Sequence, residues 1–149
     1  MKRFQNNQNI EKNKIINFFF DGKKYQGYEG DTLASALLAN NIHLVGRSFK
    51  YHRPRGIVSA GSEEPNGIVQ LETNEYTEPN RRVTEIQIYE GLKAYSQNNW
   101  PYVNFDFGAV NDLLSPFFPA GFYYKTFMWP PKFWKTYEFF IRYAAGLGK

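Results

Sequence analysis

A tight turn between two β-rich runs is the feature that most constrains the fold. The segment IINFFFDGKKYQGY, residues 15–28, places Asp21-Gly22 between runs rich in aromatic and β-branched residues. Asp-Gly suits the positive φ angles of a two-residue hairpin turn. The sequence therefore predicts a β-hairpin that begins near Ile15, after a polar segment, residues 1–14, that we expect to be disordered.

A short helix is expected next, in EGDTLASALLANN. Asp31 is the candidate N-cap, and Asn40-Asn41 is the expected stop. The helix is about ten residues long by the spacing of its apolar side chains, which are Leu33, Ala36, Leu37 and Leu38.

Two more strands are predicted further along the chain. GIVQLE forms the first, Glu78-Pro79-Asn80 forms a turn, and RVTEIQIYE forms the second. The apolar set of that last strand is Val83, Ile86 and Ile88. A sheet of four or five strands covered by one helix is an α+β arrangement, and the β-grasp is the named candidate, over residues 15–91.

Residues 92–149 differ in composition from the preceding residues and form an aromatic-rich arm. The whole chain is 19% aromatic, with 14 Phe and 11 Tyr, and the arm holds all three tryptophans. Short helices are predicted at 109–114 and from Pro131 to Gly146. The arm either wraps back on its own sheet or packs against a larger partner, since exposed aromatic patches usually mark interfaces.

Composition excludes several classes of function. The chain has no cysteine and two histidines, so we expect neither a thiolate nucleophile nor a transition-metal site. No run of about 18 apolar residues is present, and the N-terminus lacks the apolar core of a signal peptide, so we expect a cytoplasmic protein and no membrane contact. The net charge of +4 decides little by itself.

The segment GRSFKYHRPRG, residues 46–56, is the candidate functional loop, and Pro54 and Gly56 favour an ordered backbone. Its cations and rings suit single-stranded nucleic acid, a dinucleotide pyrophosphate or a carboxylate-bearing partner domain. A solvated or internally paired charge run is the plainer alternative. The candidate residues for cofactor binding or docking are Arg47, Lys50, His52, Arg53 and Arg55.

The next segment, SAGSEEPNG, is small and turn-forming, with Glu63 and Glu64 adjacent. Adjacent carboxylates point to opposite faces of an extended chain, so a paired acid–base role is not expected. We predict no catalytic residue in this chain.

Several long strings carry a family resemblance. GDTLASALLANNIHLVGRSFKYHRPRGI, SAGSEEPNGIVQL, TEPNRR, NNWPYVNFDFGAVNDLLSPFFPAGFYYKTFMWP and AAGLGK resemble the N-terminal region of the alpha subunit of heterotetrameric sarcosine oxidase, from about residue 15 to residue 149. The resemblance implies a [2Fe-2S] ferredoxin-like β-grasp module, followed in the family by a dinucleotide-binding and a folate-binding domain. The whole enzyme oxidises sarcosine to glycine with FAD, FMN and NAD.

The resemblance also implies where cluster ligands would lie. The related cluster-bearing domains have a C-x4-C-x2-C loop and a later fourth cysteine, and these positions fall here on Ser59, Glu64, Gly67 and Thr84. None is a thiolate, and a cluster of this type requires four, so no iron–sulfur cluster is expected. No GxGxxG stretch is present either, so the flavin chemistry is expected in other domains.

The expected function is therefore that of a structural and docking module of a sarcosine oxidase-like oxidoreductase complex. Its partners would be the remaining alpha-subunit domains and the other subunits, with sarcosine as substrate by resemblance alone. Two alternatives stay open: a free-standing nucleic-acid-binding module that uses residues 46–56, and an inactive fragment.

Overall fold

A computed structural model describes residues 11–73, 75–117 and 129–144. Its seven strands are β1 (Glu11–Phe20), β2 (Lys23–Glu29), β3 (Gly46–Arg47), β4 (Pro54–Arg55), β5 (Ile68–Thr73), β6 (Tyr76–Arg82) and β7 (Lys93–Ser96). Its α-helices are α1 (Leu33–Ala39), α2 (Val110–Leu113) and α3 (Trp134–Ala144). Four short 3-10 turns add Gly61–Glu63, Phe107–Ala109, Ser115–Phe117 and Pro131–Phe133.

The predicted hairpin is confirmed. β1 and β2 pair antiparallel with Phe18 opposite Tyr25, and the turn residues Asp21 and Gly22 have φ angles of 48° and 75°. Alternate side chains of β1, Ile16, Phe18 and Phe20, are buried in the core. The strand begins at Glu11, four positions before the expected start at Ile15, and residues 1–10 lie outside the described residues.

The predicted helix is also confirmed, with one correction at its start. Thr32, and not Asp31, is the N-cap, because its side chain accepts a hydrogen bond from the backbone N–H of Ser35. Asp31 lies one residue earlier and is buried, where Oδ1 accepts from the Ser35 hydroxyl and Oδ2 accepts from the Tyr28 backbone N–H. Asn40 closes the helix as expected. Leu38 was expected in the apolar set but points outward.

A mixed five-stranded sheet forms the main layer, in the order β2-β1-β7-β5-β6. The first and last strands, β1 and β7, are parallel neighbours at its centre, and all other pairs are antiparallel. Helix α1 covers one face and packs Leu33, Ala36 and Leu37 into the same core as the sheet. This is the expected α+β, β-grasp architecture. The sheet extends past the expected boundary at Gly91, because β7 runs to Ser96.

The strand predicted in residues 82–90 is wrong. Strand β6 ends at Arg82, and the chain then turns under the helix, where the carbonyl groups of Val83 and Ile86 accept from the backbone N–H groups of Ala34 and Leu33. The apolar set Val83, Ile86 and Ile88 is nevertheless buried, as the sequence predicted. The predicted turn at 78–80 lies inside β6, where a register shift in the β5–β6 ladder marks a β-bulge and Asn80 has a φ of 60°.

The described part of the arm contains both predicted helices. α2 falls within the expected range 109–114. α3 begins at Trp134, after a 3-10 turn that starts at Pro131, and its expected end at Gly146 lies outside the described residues, as does the aromatic run 118–128. None of the described helices combines the length and the apolarity required to cross a bilayer.

Candidate functional site

The basic loop, residues 46–56, is a small closed hairpin. β3 and β4 pair with Gly46 opposite Arg55. Ser48 joins the two ends of the turn: its N–H donates to the Arg53 carbonyl over 2.9 Å, and its hydroxyl oxygen accepts from the Arg53 N–H over 2.9 Å. These contacts give the loop a hydrogen-bonded hairpin geometry, and its order stays a prediction from Pro54 and Gly56.

A buried carboxylate, Asp106, ties this loop to a second turn. Oδ1 accepts the backbone N–H groups of Trp100 (2.9 Å) and Gly108 (3.0 Å), and Oδ2 lies 2.7 Å from Nδ1 of His52. Burial raises the pKa of Asp106, but the hydrogen bonds from Trp100, His52 and Gly108 outweigh it, so the net pKa is lowered. Because the ionised carboxylate can only accept, the His52 Nδ1 carries the hydrogen.

Arg47 makes the second link between the loop and the turn. Nε donates to the Val103 carbonyl over 2.8 Å, and a terminal nitrogen donates to the His52 carbonyl over 2.9 Å. Nε also lies 3.6 Å from Oδ2 of Asp106, and neither side chain has more than a small exposed fraction. Arg47 and His52 therefore act inside the protein, where they fix the turn at 100–107.

The turn presents a group of exposed rings that we call the aromatic ledge: Trp100, Tyr102, Phe105 and Phe107. Their exposed fractions are 68%, 70%, 61% and 53%. The ring of Phe107 lies 5.2 Å from that of Trp100 and 5.1 Å from that of Phe105, measured between centroids. Reciprocal backbone hydrogen bonds between Tyr102 and Phe105 close the turn. Hydrogen bonds and ring contacts thus hold the ledge in place while its apolar surface faces solvent.

A groove of about 1000 Å³ runs beside the ledge. Tyr102 and Phe105 form one wall, and the end of the β1–β2 hairpin and the segment after α1 form the other, with Phe20, Tyr25 and Ile42 among the lining residues. Of the described rings of the arm, Tyr95 lies in β7 of the sheet, whereas those of the ledge are exposed. Trp129, Phe133, Phe139 and Phe140 are exposed as well.

The other candidate cations lie at the rim of the loop. Arg53 donates to Asp112 over 2.6 Å, and both side chains are about half exposed. Arg55 donates to Asn66 over 2.9 Å. Lys50 and Arg53 each lie 4.8 Å from the ring centre of Tyr51. The structure thus ties Arg47 and His52 to the turn at 100–107 and leaves Arg53 exposed, whereas Lys50 and Arg55 are half-buried.

A second buried carboxylate, Glu64, organises the segment after β4. Oε2 accepts the backbone N–H groups of Val58 (2.9 Å) and Ser59 (2.7 Å), and Oε1 accepts those of Asn66 (2.8 Å) and Gly67 (2.9 Å). Burial raises the pKa of Glu64, but these four hydrogen bonds outweigh it and lower the pKa to about 2. Glu63 is exposed, so the two adjacent carboxylates lie in opposite environments, although Glu63 belongs to a 3-10 turn and not to an extended chain.

The four ligand positions that the resemblance implied lie around this segment. Ser59 and Gly67 both donate to Glu64. Thr84 donates through its hydroxyl to the Gly61 carbonyl over 2.6 Å, at the outer turn of the same segment.

Asp106 and the aromatic ledge were not found from the sequence. One local signal existed: in Asp106-Phe107-Gly108 the aspartate accepts from the N–H two residues later, an Asx-turn pattern that Asp and Gly favour. The contact with His52 joins residues 54 positions apart, and no local pattern encodes it.

Comparison with known proteins identifies a matching family model and several sarcosine oxidase alpha subunits as relatives of this chain. The family model described as "2Fe-2S iron-sulfur cluster binding domain" matches residues 13–99. The chain is 62% identical over 141 residues, 94% of its length, to the sarcosine oxidase subunit alpha of Rhizobium meliloti (strain 1021). It is 35% and 42% identical over 88 residues to the subunits of that name from Corynebacterium sp. strains U-96 and P-1.

The chain spans only part of these relatives: 14% of the Rhizobium protein and 9% of each Corynebacterium protein. Among solved structures, L-proline dehydrogenase from P. horikoshii matches 62% of the chain at 25% identity, with a TM-score of 0.45. The matching family model and the sarcosine oxidase relatives do not support a nucleic-acid-binding module or an inactive fragment.

The residues present do not fit the cluster for which the family is described. A [2Fe-2S] cluster is held by four side-chain ligands, normally thiolates, and the chain contains no cysteine. Among residues 11–73, 75–117 and 129–144, no three His, Asp or Glu side chains are grouped to hold a metal ion. A Cβ at Gly67 would lie 2.7 Å from Cγ2 of Val83, so this position has no room for a ligand side chain.

Proposed function

This chain belongs to the 2Fe-2S iron-sulfur cluster binding domain family, and from that premise we propose that it serves as the structural and docking domain of a sarcosine oxidase alpha subunit. Relatives of that name contain much more polypeptide than this chain spans. In the proposal this domain docks on the remainder of the alpha subunit and supplies no group that takes part in the chemistry.

The exposure of the aromatic ledge is the observation that carries the proposal. Four rings face solvent on a turn held by Asp106, Arg47 and His52. Large rings in water forgo about 25 cal/mol for each Å² of apolar surface left exposed. Aromatic side chains are enriched at the centres of interfaces, where they are often the residues that contribute most to affinity. A rigid turn also loses little conformational entropy when it binds.

The ledge and the adjacent groove together form the proposed docking surface. Its proposed occupant is an apolar segment of the remaining alpha-subunit polypeptide, since that polypeptide makes up most of the length of the matching relatives. Lys50, Arg53 and Arg55 at the rim would meet polar or acidic groups of the same partner, or the edge of its nucleotide site. Arg47 and His52 contribute by fixing the ledge.

The chemistry is proposed for the assembled complex. That complex would oxidise sarcosine, or a closely related methylated amine, with FAD, FMN and NAD bound by its other domains and subunits. It would work in the cytoplasm, the compartment expected from the sequence.

A binding experiment tests the docking surface. The 149-residue chain, tagged, is mixed with the remainder of the Rhizobium meliloti alpha subunit, and the Kd is measured by surface plasmon resonance. We expect W100A/F107A to weaken binding by about tenfold or more, because two central rings are lost. Tyr76→Ala is the matched control, since Tyr76 is equally exposed but lies on β6.

Two outcomes would contradict the proposal. One is binding by W100A/F107A as tight as that of the wild type. The other is equal weakening by W100A/F107A and by Tyr76→Ala, which would place the interface elsewhere or make it nonspecific.

A further inference from the structure

The segment 57–67 directs four backbone N–H groups at a single point, and a side chain of the chain itself occupies that point. The donors are Val58, Ser59, Asn66 and Gly67, all 2.7–2.9 Å from the carboxylate oxygens of Glu64. Glu64 itself is 1% exposed. Such a convergence of amides is an anion cradle, of the kind that binds a phosphate or an iron–sulfur cluster in other proteins.

A bound cluster with four thiolate ligands is an anion, and backbone hydrogen bonds to its sulfur atoms help to hold it. This chain matches the model of a cluster-binding family, but it has no cysteine to supply the thiolate ligands. Without the carboxylate, the four converging N–H groups, one buried and three partly buried, would lose the acceptor they share. An acceptor that reaches both ends of the segment is therefore needed at this point, and a carboxylate supplies two oxygens for it.

We propose that the Glu64 carboxylate is the internal replacement for the anionic cluster of this family, and that it holds the two ends of segment 57–67 together without metal. The position of Glu64 supports this, because its carboxylate accepts from Ser59 at one end of the segment and from Gly67 at the other. The segment is also closed around the carboxylate, since a Cβ on Gly67 would lie 3.3 Å from Cγ of Glu64.

The replacement is both electrostatic and geometric. Each carboxylate oxygen accepts two N–H groups, one pair from each end of the segment. The side chain thus joins residues 58–59 to residues 66–67, as a cluster would join its ligands. The carboxylate is no redox centre, so in this proposal the segment keeps its shape without iron.

The test empties the cradle and then supplies a free anion. In Glu64→Ala of the full 149-residue chain, backbone amide exchange is measured by NMR for Val58, Ser59, Asn66 and Gly67. We expect these four amides to exchange about tenfold faster or more, while amides of the β1–β2 hairpin keep their rates. Glu63→Ala is the matched control, since Glu63 is adjacent and exposed.

Sodium formate is the probe for rescue. We expect formate to slow exchange at the four amides of Glu64→Ala and to raise its melting temperature more than sodium chloride does at equal ionic strength, with no such difference for Glu63→Ala. If Glu64→Ala does not fold, formate-dependent recovery of the folded state is the same readout. The proposal is overturned if the four amides exchange as in the wild type, or if formate acts equally on both variants or on neither.

Discussion

Glu64 and Asp106 are both buried carboxylates with lowered pKa values, yet they stabilise their loops in different ways. Glu64 takes all four backbone partners from its own segment, 58–67. Asp106 takes two from its own turn and reaches His52 and Arg47 in a different loop. The first carboxylate completes a loop, whereas the second joins two loops and so places the aromatic ledge. A local anchor and a tertiary link should respond differently to the same perturbation.

Acid should produce the largest effect, and mainly through Glu64. Its pKa of about 2 in the folded protein lies below the usual 4.5, so the unfolded chain binds more protons as the pH falls. Stability is therefore fully present above about pH 5 and is lost as the pH falls from 4.5 towards 2, by an amount on the order of 3 kcal/mol. Urea unfolding of wild type and Glu64→Gln between pH 7 and 2.5 measures this loss of free energy of unfolding. An equal acid loss in both proteins would contradict this assignment.

The neutral isosteres should separate the two anchors. In Glu64→Gln the new NH2 group replaces an acceptor of two backbone N–H donors, and its one nearby alternative partner is the Ser59 hydroxyl, 3.4 Å from Oε2. We expect a loss of about 2–3 kcal/mol. In Asp106→Asn the oxygen can keep Trp100 and Gly108, while His52 can change tautomer and accept from the NH2 group, so we expect a loss of about 1 kcal/mol. Urea unfolding at pH 7 gives both values. A larger loss for Asp106→Asn would reverse the comparison.

Gly108 tests how closely the tertiary link is packed. A Cβ at this position would overlap the His52 ring, so Gly108→Ala should displace His52 from Asp106 and cost about 1–2 kcal/mol. Removal of the ring should relieve the overlap. The double variant G108A/H52A is therefore expected to lose less free energy of unfolding than the sum of the single variants, and strict additivity in the mutant cycle would argue against the contact.

The exposed ion pair should matter least. Arg53 and Asp112 are about half exposed at 2.6 Å, so Arg53→Ala should change the free energy of unfolding by no more than about 0.5 kcal/mol. Thermal unfolding in low and high salt checks this value and its screening. A loss above 2 kcal/mol would mean that Arg53 belongs to the internal link with Arg47 and not to the rim.

The fold could be predicted where local chemistry decides the structure. Asp21-Gly22 requires a turn with positive φ, and the apolar spacing after Asp31 requires a helix, so both elements were correct. Strand β6 was missed because Pro79 indicates a turn. Here it lies in an edge strand, where a missing N–H is tolerated, next to a bulge at Asn80.

The site could be predicted only in part, for a related reason. The resemblance located Ser59, Glu64, Gly67 and Thr84 in one region, but it did not show that the carboxylate of Glu64 fills the centre. The basic loop was identified from its charge and rings, whereas Asp106, which sets the orientation of Arg47 and His52, is more than fifty residues away. The role of Asp106 depends on contacts between residues far apart in the sequence, and a local sequence motif does not reveal such contacts.

The parallel pairing of β1 with β7 also bears on how the chain is made. Phe19 in the first strand lies beside Lys93 in the last, whereas the β1–β2 and β5–β6 hairpins join neighbours in sequence. During synthesis from the N-terminus, both hairpins leave the ribosome before the strand that joins them, and contacts between distant residues form slowly. The two hairpins can therefore join into one sheet only after four residues, Lys93–Ser96, have been synthesised and pair at its centre.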